Sequence, residues 1–391
     1  MIEPALAKAH DLLRRAPIFD GHNDLPWVIR IDPSAKGDVR AYGLQNRRNA
    51  GDTDIPRLKA GQVGAQFWAA FQPTGAPHPA RTALEQLDVI RQIEEAHPDA
   101  FHPARSAADF GRAQKRGKIA SYITVEGGVG LENSLSPLRI WHAAGMRLMT
   151  LCHNETLDWV DSATDAPRHG GLNAFGRAVV HELNRLGVIV DCSHVSAEGA
   201  RATIKTSRAP VALTHSNSFS LCDHPRNAPD DVLKALGATG GLVMATFVPA
   251  FLSQARREWQ RRARGGHDAM PLTADPKEAF ERQQAQNGKA PAATLNEVVD
   301  HIERLLDLAG AAHVGIGSDF FGGPQPKGLE DVSCFPALIA ECLRRKLSER
   351  VVEGLASRNL LAFMRRVERI GAKLRKSEPP KVGRIGDYPG A

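Results

Sequence analysis

Short apolar runs alternate with amphipathic stretches along nearly the whole chain, and this alternation constrains the fold more than any other feature. Eight runs read as strands: 18–20, 63–71, 119–125, 147–152, 188–192, 211–214, 242–247 and 314–317. Between them, apolar residues recur at helical spacing. In 172–186, Phe175, Val179, Leu183 and Leu186 make one stripe, and Gly187 stops the helix before the next strand begins. Ser136-Pro137 opens a helix that ends near Gly145, and Pro229-Asp230-Asp231 opens one that ends near Gly237. Thr294 followed by Glu297 fits a capping box, with Gly310 closing that helix, and 348–364 makes a late helical region. Strands that alternate with helices imply a parallel sheet, and eight of them suggest an α/β fold closed into a (β/α)8 TIM-type barrel. An open doubly wound sheet is the alternative. A dinucleotide-binding version would want GxGxxG after its first strand, where this chain has Gly21-His22-Asn23-Asp24.

The length, 391 residues, suits one such barrel with insertions, expected over 1–372. Segment 249–293 is long, polar and charged, and is expected as a helical insertion between strands 7 and 8. It either covers the site or is a solvated excursion. The Pro-, Gly- and Lys-rich tail, 373–391, is expected to pack loosely. The net charge of +6 is spread along helices and the tail, with no basic stripe interleaved with aromatics, so no nucleic-acid partner is expected. No apolar run approaches the ~20 residues that span a bilayer, and the first residues lack a signal-peptide core. The expectation is a cytoplasmic protein without a membrane partner; the processed form of an exported protein would look the same. The five cysteines form no CxxC pair, which disfavours a Cys-based zinc site.

The chemistry sits where the apolar runs stop. His22 and Asp24 follow the first run, spaced so that on a strand both would face one side. Glu126 ends the third, before Gly127-Gly128. His153, His194, His215 and Asp319 follow the fourth, fifth, sixth and eighth. Each alone has a bland reading: a strand-end His is usually a hydrogen-bonded structural residue, and Arg226, in His224-Pro225-Arg226-Asn227, is by default a solvated loop charge. Together they are harder to dismiss, because in a barrel these ends converge on the mouth where catalytic residues sit. The set is too large for one four-coordinate zinc with an open position. It suits two metals bridged by a carboxylate and a water, whose pKa the metals would lower. Nitrogen and oxygen donors without Cys favour Zn2+, with Mn2+ or Co2+ as possible substitutes.

The chain resembles the membrane (renal) dipeptidase family of zinc peptidases, a branch of the amidohydrolase-like barrels. The matching pieces are Asp20-Gly21-His22-Asn23-Asp24, Glu126-Gly127-Gly128, Thr150-Leu151-Cys152-His153-Asn154, Asp191-Cys192-Ser193-His194-Val195-Ser196, Thr214-His215-Ser216-Asn217, His224-Pro225-Arg226-Asn227 and Gly315-Ile316-Gly317-Ser318-Asp319-Phe320, in family order. The resemblance implies a binuclear zinc centre: His22 and Asp24 on one ion, His194 and His215 on the other, Glu126 bridging. It implies His153 and Arg226 at substrate-binding positions and Asp319 as the acid/base carboxylate. It also implies dipeptide substrates, including those with a C-terminal D-residue, and a homodimer. A metal-dependent deacylase or lactam hydrolase acting on small carboxylate-bearing amides is the second reading, and a non-catalytic binding barrel the third. Phe321 stands where the family usually has an Asp, and strand parity would place it on the Asp319 side. By the same parity Cys192 is expected to point into the barrel with His194 and Cys152 to face the helices, both as packing residues.

Overall fold

Each of the eight apolar runs forms a strand in the computed structural model, which describes residues 3–268 and 276–390. In chain order the strands are β1 (Ile18–Asn23), β2 (Val63–Phe71), β3 (Phe101–Ala104), β4 (Ile119–Glu126), β5 (Met146–Thr150), β6 (Ile189–Asp191), β7 (Ala212–Leu213), β8 (Leu242–Ala245) and β9 (Val314–Ile316). They pair in parallel in the order β1-β2-β4-β5-β6-β7-β8-β9. The ring closes through a bridge between Asn23 and Phe320. The N–H of Asp24 donating to the Phe320 carbonyl (3.1 Å) and that of Asp319 donating to the His22 carbonyl (3.2 Å) complete the seam. The result is the (β/α)8 barrel rather than the open sheet. β3, which hydrogen-bonds to β4 outside this ring, is a ninth strand that sequence reading misses. It is four residues long and carries Pro103, which periodicity reads as a break.

Two apolar layers follow from strand alternation. Phe19, Phe67, Tyr122, Leu148, Ile189 and Met244 share one buried cluster with Leu360, Phe363 and Met364 of the helix Asn359–Ser377, which plugs the barrel interior. The opposite parity, including Trp68, Ile123, Val125, Met149, Val190 and Leu213, packs against the surrounding helices. The caps behave as their sequences require. The helix Ala174–Leu186 stops at Gly187 in the left-handed conformation, and the helix Leu295–Ala309 opens with the Thr294–Glu297 box.

Two expectations are adjusted. The late helix does not end at Met364 but runs to Ser377, so the segment from Lys373 begins as its last turn. Beyond it, Arg384 bridges Ser134, the Lys381 N–H donates to buried Glu182 (2.9 Å), and Tyr388 meets Phe175 edge-on. Cys192 packs with the helix layer, not in the barrel interior, because β6 ends at Asp191 and strand alternation no longer relates Cys192 to His194. The insertion forms the helices Pro249–Leu252, Gln254–Ala263 and Pro276–Asn287, while 269–275 lies outside the described residues. Among the described residues no helix is long and apolar enough to cross a membrane.

Candidate metal centre and substrate cavity

Glu126 is the last residue of β4 and faces the barrel axis, in register with Tyr122 and Thr124. The chain can leave the strand sharply behind it because Gly127 adopts φ +97° and Gly128 lies where a side chain would collide with the Leu151 carbonyl and the Trp159 ring. The two carboxylate oxygens face different partners. Oε2 is 3.4 Å from His22 Nε2, whereas Oε1 is 3.1 Å from His194 Nε2 and 3.5 Å from His215 Nε2. On the far side of His22, Asp24 Oδ1 is 3.5 Å and Asp319 Oδ1 4.0 Å from its Nε2. Donor atoms of His22, Glu126 and His215, of Glu126, His153 and His194, and of His22, Asp24 and Asp319 form three overlapping groups, each within 4.8 Å. All seven expected strand-end residues therefore meet at one mouth. The His22–Asp24 pair does so by a different geometry from strand alternation: Asp24 lies past β1, in the N-cap position of the helix Leu25–Ile31 but with no capping hydrogen bond from its side chain.

The electrostatics of this cluster call for positive charge. Burial works against a proton on His22, yet the Glu126 and Asp24 carboxylates outweigh it and hold His22 well above its usual pKa. Burial raises Asp24, and it pushes Asp319 up to about 7, with His22 opposing. His194 and His215 are driven well below the usual imidazole value by burial and by Arg226 and the neighbouring rings, so both are neutral near pH 7. His22 Nε2, Asp24 Oδ1 and His215 Nε2 are buried without a hydrogen-bond partner. Orphaned buried polar atoms are costly and rare, and here they converge. Neutral imidazoles, carboxylates and unpartnered lone pairs fit divalent cations.

Behind the donors, side chains fix their orientation. Asp191 accepts from Thr150 Oγ1 (2.6 Å), Ser193 N and Oγ, and Thr214 N and Oγ1. Since Thr214 gives its one hydroxyl proton to Asp191, its oxygen accepts from His215 Nδ1 (3.0 Å), which leaves His215 Nε2 bare towards Glu126. Asp20 serves the opposite side. It accepts from Ser318 N (2.8 Å), Ser318 Oγ (2.6 Å) and Gln66 Nε2 (2.9 Å), tying β9 and β2 to β1. Sequence reading assigned neither aspartate a role. Both lie inside quoted motifs, and Gln66, a polar residue within the apolar run of β2, was the available signal.

The mouth opens into a cavity of about 920 Å3, lined at its polar end by Asp24, Glu126, His153, His194, Arg226 and Asp319. Arg226 is 4 % exposed, and its Nε and Nη1 have no partner, while Nη2 donates weakly to the His215 carbonyl (3.4 Å). Burial lowers its pKa to about 10, so it stays charged at neutral pH. The solvated-loop reading of Arg226 is thus replaced by a buried cation that lines the cavity. His153 meets Phe71 edge-on (4.6 Å) and lies tilted against His194 (4.3 Å), and burial with Arg226 nearby brings it down to about 3, which keeps it neutral. From the insertion, Phe251, Gln260, Arg264, Asp268 and Phe280 line the same cavity. Of its two alternatives, covering the site is the one this placement matches.

A family model for membrane dipeptidases, peptidase family M19, matches residues 6–378. The chain belongs to that family. The chain is 34% identical to Dipeptidase verJ of Clonostachys rogersoniana, over 96% of this chain and 91% of that protein. The probable dipeptidase PvdM from Pseudomonas aeruginosa has a similar structure, with a TM-score of 0.81 at 26% identity, covering 95% of this chain and all of that one (100%). A metallo peptidase from Rhodobacter sphaeroides, solved with a phosphinate mimic of the dipeptide L-Ala-D-Ala, shares the fold, with a TM-score of 0.73 at 23% identity over 90% of this chain and 99% of that one. Membership makes the protein a metal-dependent dipeptidase, and the three overlapping donor groups are candidates for holding its metal.

Proposed function

We propose that this dipeptidase uses two zinc ions, one held by His22 and Asp24, the other by His194 and His215, with Glu126 shared. The observation that carries the reading is the division of Glu126, one oxygen towards His22 and the other towards His194 and His215. When bound, the ions would lower the pKa of a shared water and so supply a nucleophile near neutral pH, and Mn2+ or Co2+ could substitute.

The chain's own groups supply the remaining steps of peptide hydrolysis. Asp319, with its pKa raised to about 7, suits taking a proton from the attacking water and passing it to the leaving amine. Neutral His153 would donate a hydrogen bond to the carbonyl oxygen as negative charge develops there. Arg226 would take the substrate's carboxylate, for which a planar guanidinium with two unpartnered nitrogens is well suited. A carboxylate clamp so close to the centre admits short substrates with a free C-terminus. The clamp engages the carboxylate rather than the side chain, so a D-residue at that end is compatible with it.

Metal analysis of the purified chain is expected to give close to two zinc per subunit. A single ion at full activity would overturn the binuclear reading. A panel of L-Ala-L-Ala, L-Ala-D-Ala, N-acetyl-alanine and a β-lactam tests the substrate class. Turnover of the last two with neither dipeptide would favour the deacylase or lactam hydrolase reading instead.

A further inference from the structure

Beyond the polar end, the cavity has an apolar wall on one side of the metal-capable cluster. Trp27, Val28 and Ile31 come from the helix that follows Asp24, and Phe321 lies two residues past Asp319. All four are half-buried and line the cavity, so each keeps apolar surface turned to it. The wall is built rather than incidental. Trp27 is fixed by Phe71 edge-on at 5.1 Å and by the Arg30 guanidinium at 5.4 Å. Phe321 adopts φ +72°, a left-handed conformation that bulky residues rarely take. Its N–H donates to Asp52 Oδ2 (3.1 Å), which also accepts from Gln325 Nε2 (3.4 Å). Its ring lies against Gly51, where a Cβ would come within 2.9 Å of Phe321 Cε1. Backbone strain that the surroundings hold in place beside a reacting centre points to a functional reason for it.

The wall's position gives it a direction. Arg226 lies on the β7 side, against the His215 carbonyl and with its guanidinium 5.3 Å from the Phe251 ring. The inference rests on the reading above in one respect: with the substrate carboxylate on Arg226, the amino-terminal residue lies towards Asp24 and Asp319, beside the wall. At about 920 Å3 the cavity is near the upper end of the ~300–1,000 Å3 that suits drug-sized ligands, far more than two small residues fill.

We propose that Phe321, seated on Gly51 and held by Asp52, is a specificity-determining residue, and that with Trp27, Val28 and Ile31 it selects dipeptides whose amino-terminal residue is large and apolar. The test compares kcat/KM for L-Phe-L-Ala and L-Ala-L-Ala on the zinc-loaded full chain. The expected ratio is about tenfold or more, since even one methylene in an apolar pocket is worth about that much. Phe321→Ala is expected to lower the ratio. Ile31→Ala, on a separate element, is expected to do the same, with thermal melts by circular dichroism confirming that each variant folds. Equal values for the two dipeptides, or a ratio unchanged in both folded variants, would overturn the proposal while leaving the dipeptidase reading intact. If neither dipeptide is hydrolysed, that reading fails instead. Calorimetric binding of the same two dipeptides then decides the wall's role: tighter binding of L-Phe-L-Ala supports it, and equal binding removes it.

Discussion

The two sides of the metal-capable cluster solve the same structural problem differently. Both sit where strand pairing is thin: β6 meets β7 through the single pair Asp191–Ala212, and β9 meets β1 through the single bridge Phe320–Asn23. In each case a buried aspartate takes over from the missing ladder. Asp191 does so inside the barrel, gathering three hydroxyls and two backbone N–H groups from β5, β6 and β7 while the backbone keeps ordinary conformations. Asp20 joins the β1–β9 seam, but there the chain leaves β9 through left-handed residues, Asp319 at φ +63° and Phe321 at φ +72°. The relaxed side holds two neutral histidines. The strained side places the acid/base candidate and the apolar wall. The side with ordinary backbone backs two of the proposed metal donors with the Asp191 hydrogen-bond network, whereas the side with left-handed backbone carries Asp319 and Phe321, the residues proposed to face substrate.

The largest effect should come from the strained side and leave stability nearly untouched. Asp319→Asn removes the proposed proton carrier but keeps the shape, so kcat should fall by about 10²- to 10⁴-fold while metal analysis still finds the ions. Full activity in that variant would take Asp319 out of the reaction. Asp191→Ala should be the most damaging change to the fold on the relaxed side. It strands several buried donors at once, each worth ~1–3 kcal/mol, for a loss of at least about 3 kcal/mol in denaturant unfolding. It should also free the His215 ring and weaken metal binding by about 10- to 100-fold. Chelation tests both sides together. Donors that converge without partners gain from a cation, so the metal-free protein should melt lower, by the equivalent of about 3–4 kcal/mol for each ion held at 100 to 1,000 times its Kd. A melting temperature indifferent to chelator would contradict the donor cluster's assignment.

How much of this was legible beforehand follows from which signals survive in one dimension. The eight strands and their helices were legible because burial enforces period and caps enforce ends, as Gly187 and the Thr294–Glu297 box show. The donors were legible because a buried polar residue ending an apolar run demands an explanation. What failed was alternation carried past a strand's end. It placed Cys192 in the barrel, and it made His22 and Asp24 strand neighbours when Asp24 lies past the strand, at a helix N-cap position. It also treated Phe321 as strand, although β9 ends at Ile316 and left-handed residues turn the chain. The substrate wall was invisible for another reason. Trp27 and Ile31 look like any buried face of an amphipathic helix, and only the fold shows that a cavity, not a neighbour, lies against them.

Smaller changes should sharpen the contrast. Ser318→Ala deprives Asp20 of its 2.6 Å hydroxyl donor but leaves the Ser318 N–H and Gln66 in place, so it should cost only about 1–2 kcal/mol, well below Asp191→Ala. An equal cost would mean that the seam depends on Asp20 as heavily as the other side depends on Asp191.

The smallest global effect is expected from the insertion, which borders the cavity without being part of the barrel. Its inner packing centres on Arg256, which is 4 % exposed, 5.3 Å from the Trp259 ring and 4.4 Å from the Phe280 ring, with Nη1 donating to the Pro291 carbonyl (3.2 Å). Phe280→Ala uncovers one face of that cation and removes an edge-on contact with Trp259 at 5.9 Å. Aromatic pairs and cation–π contacts are worth about 1 kcal/mol each, and losing both is enough to speed local opening about thirtyfold but not to unfold a barrel whose core lies elsewhere. Amide exchange should therefore quicken in the helix Gln254–Ala263 and stay unchanged in β4 and β5. Faster exchange in both would show that the insertion and the barrel unfold as one unit, and that the separation between a rigid metal-holding frame and its cover is not present in the molecule.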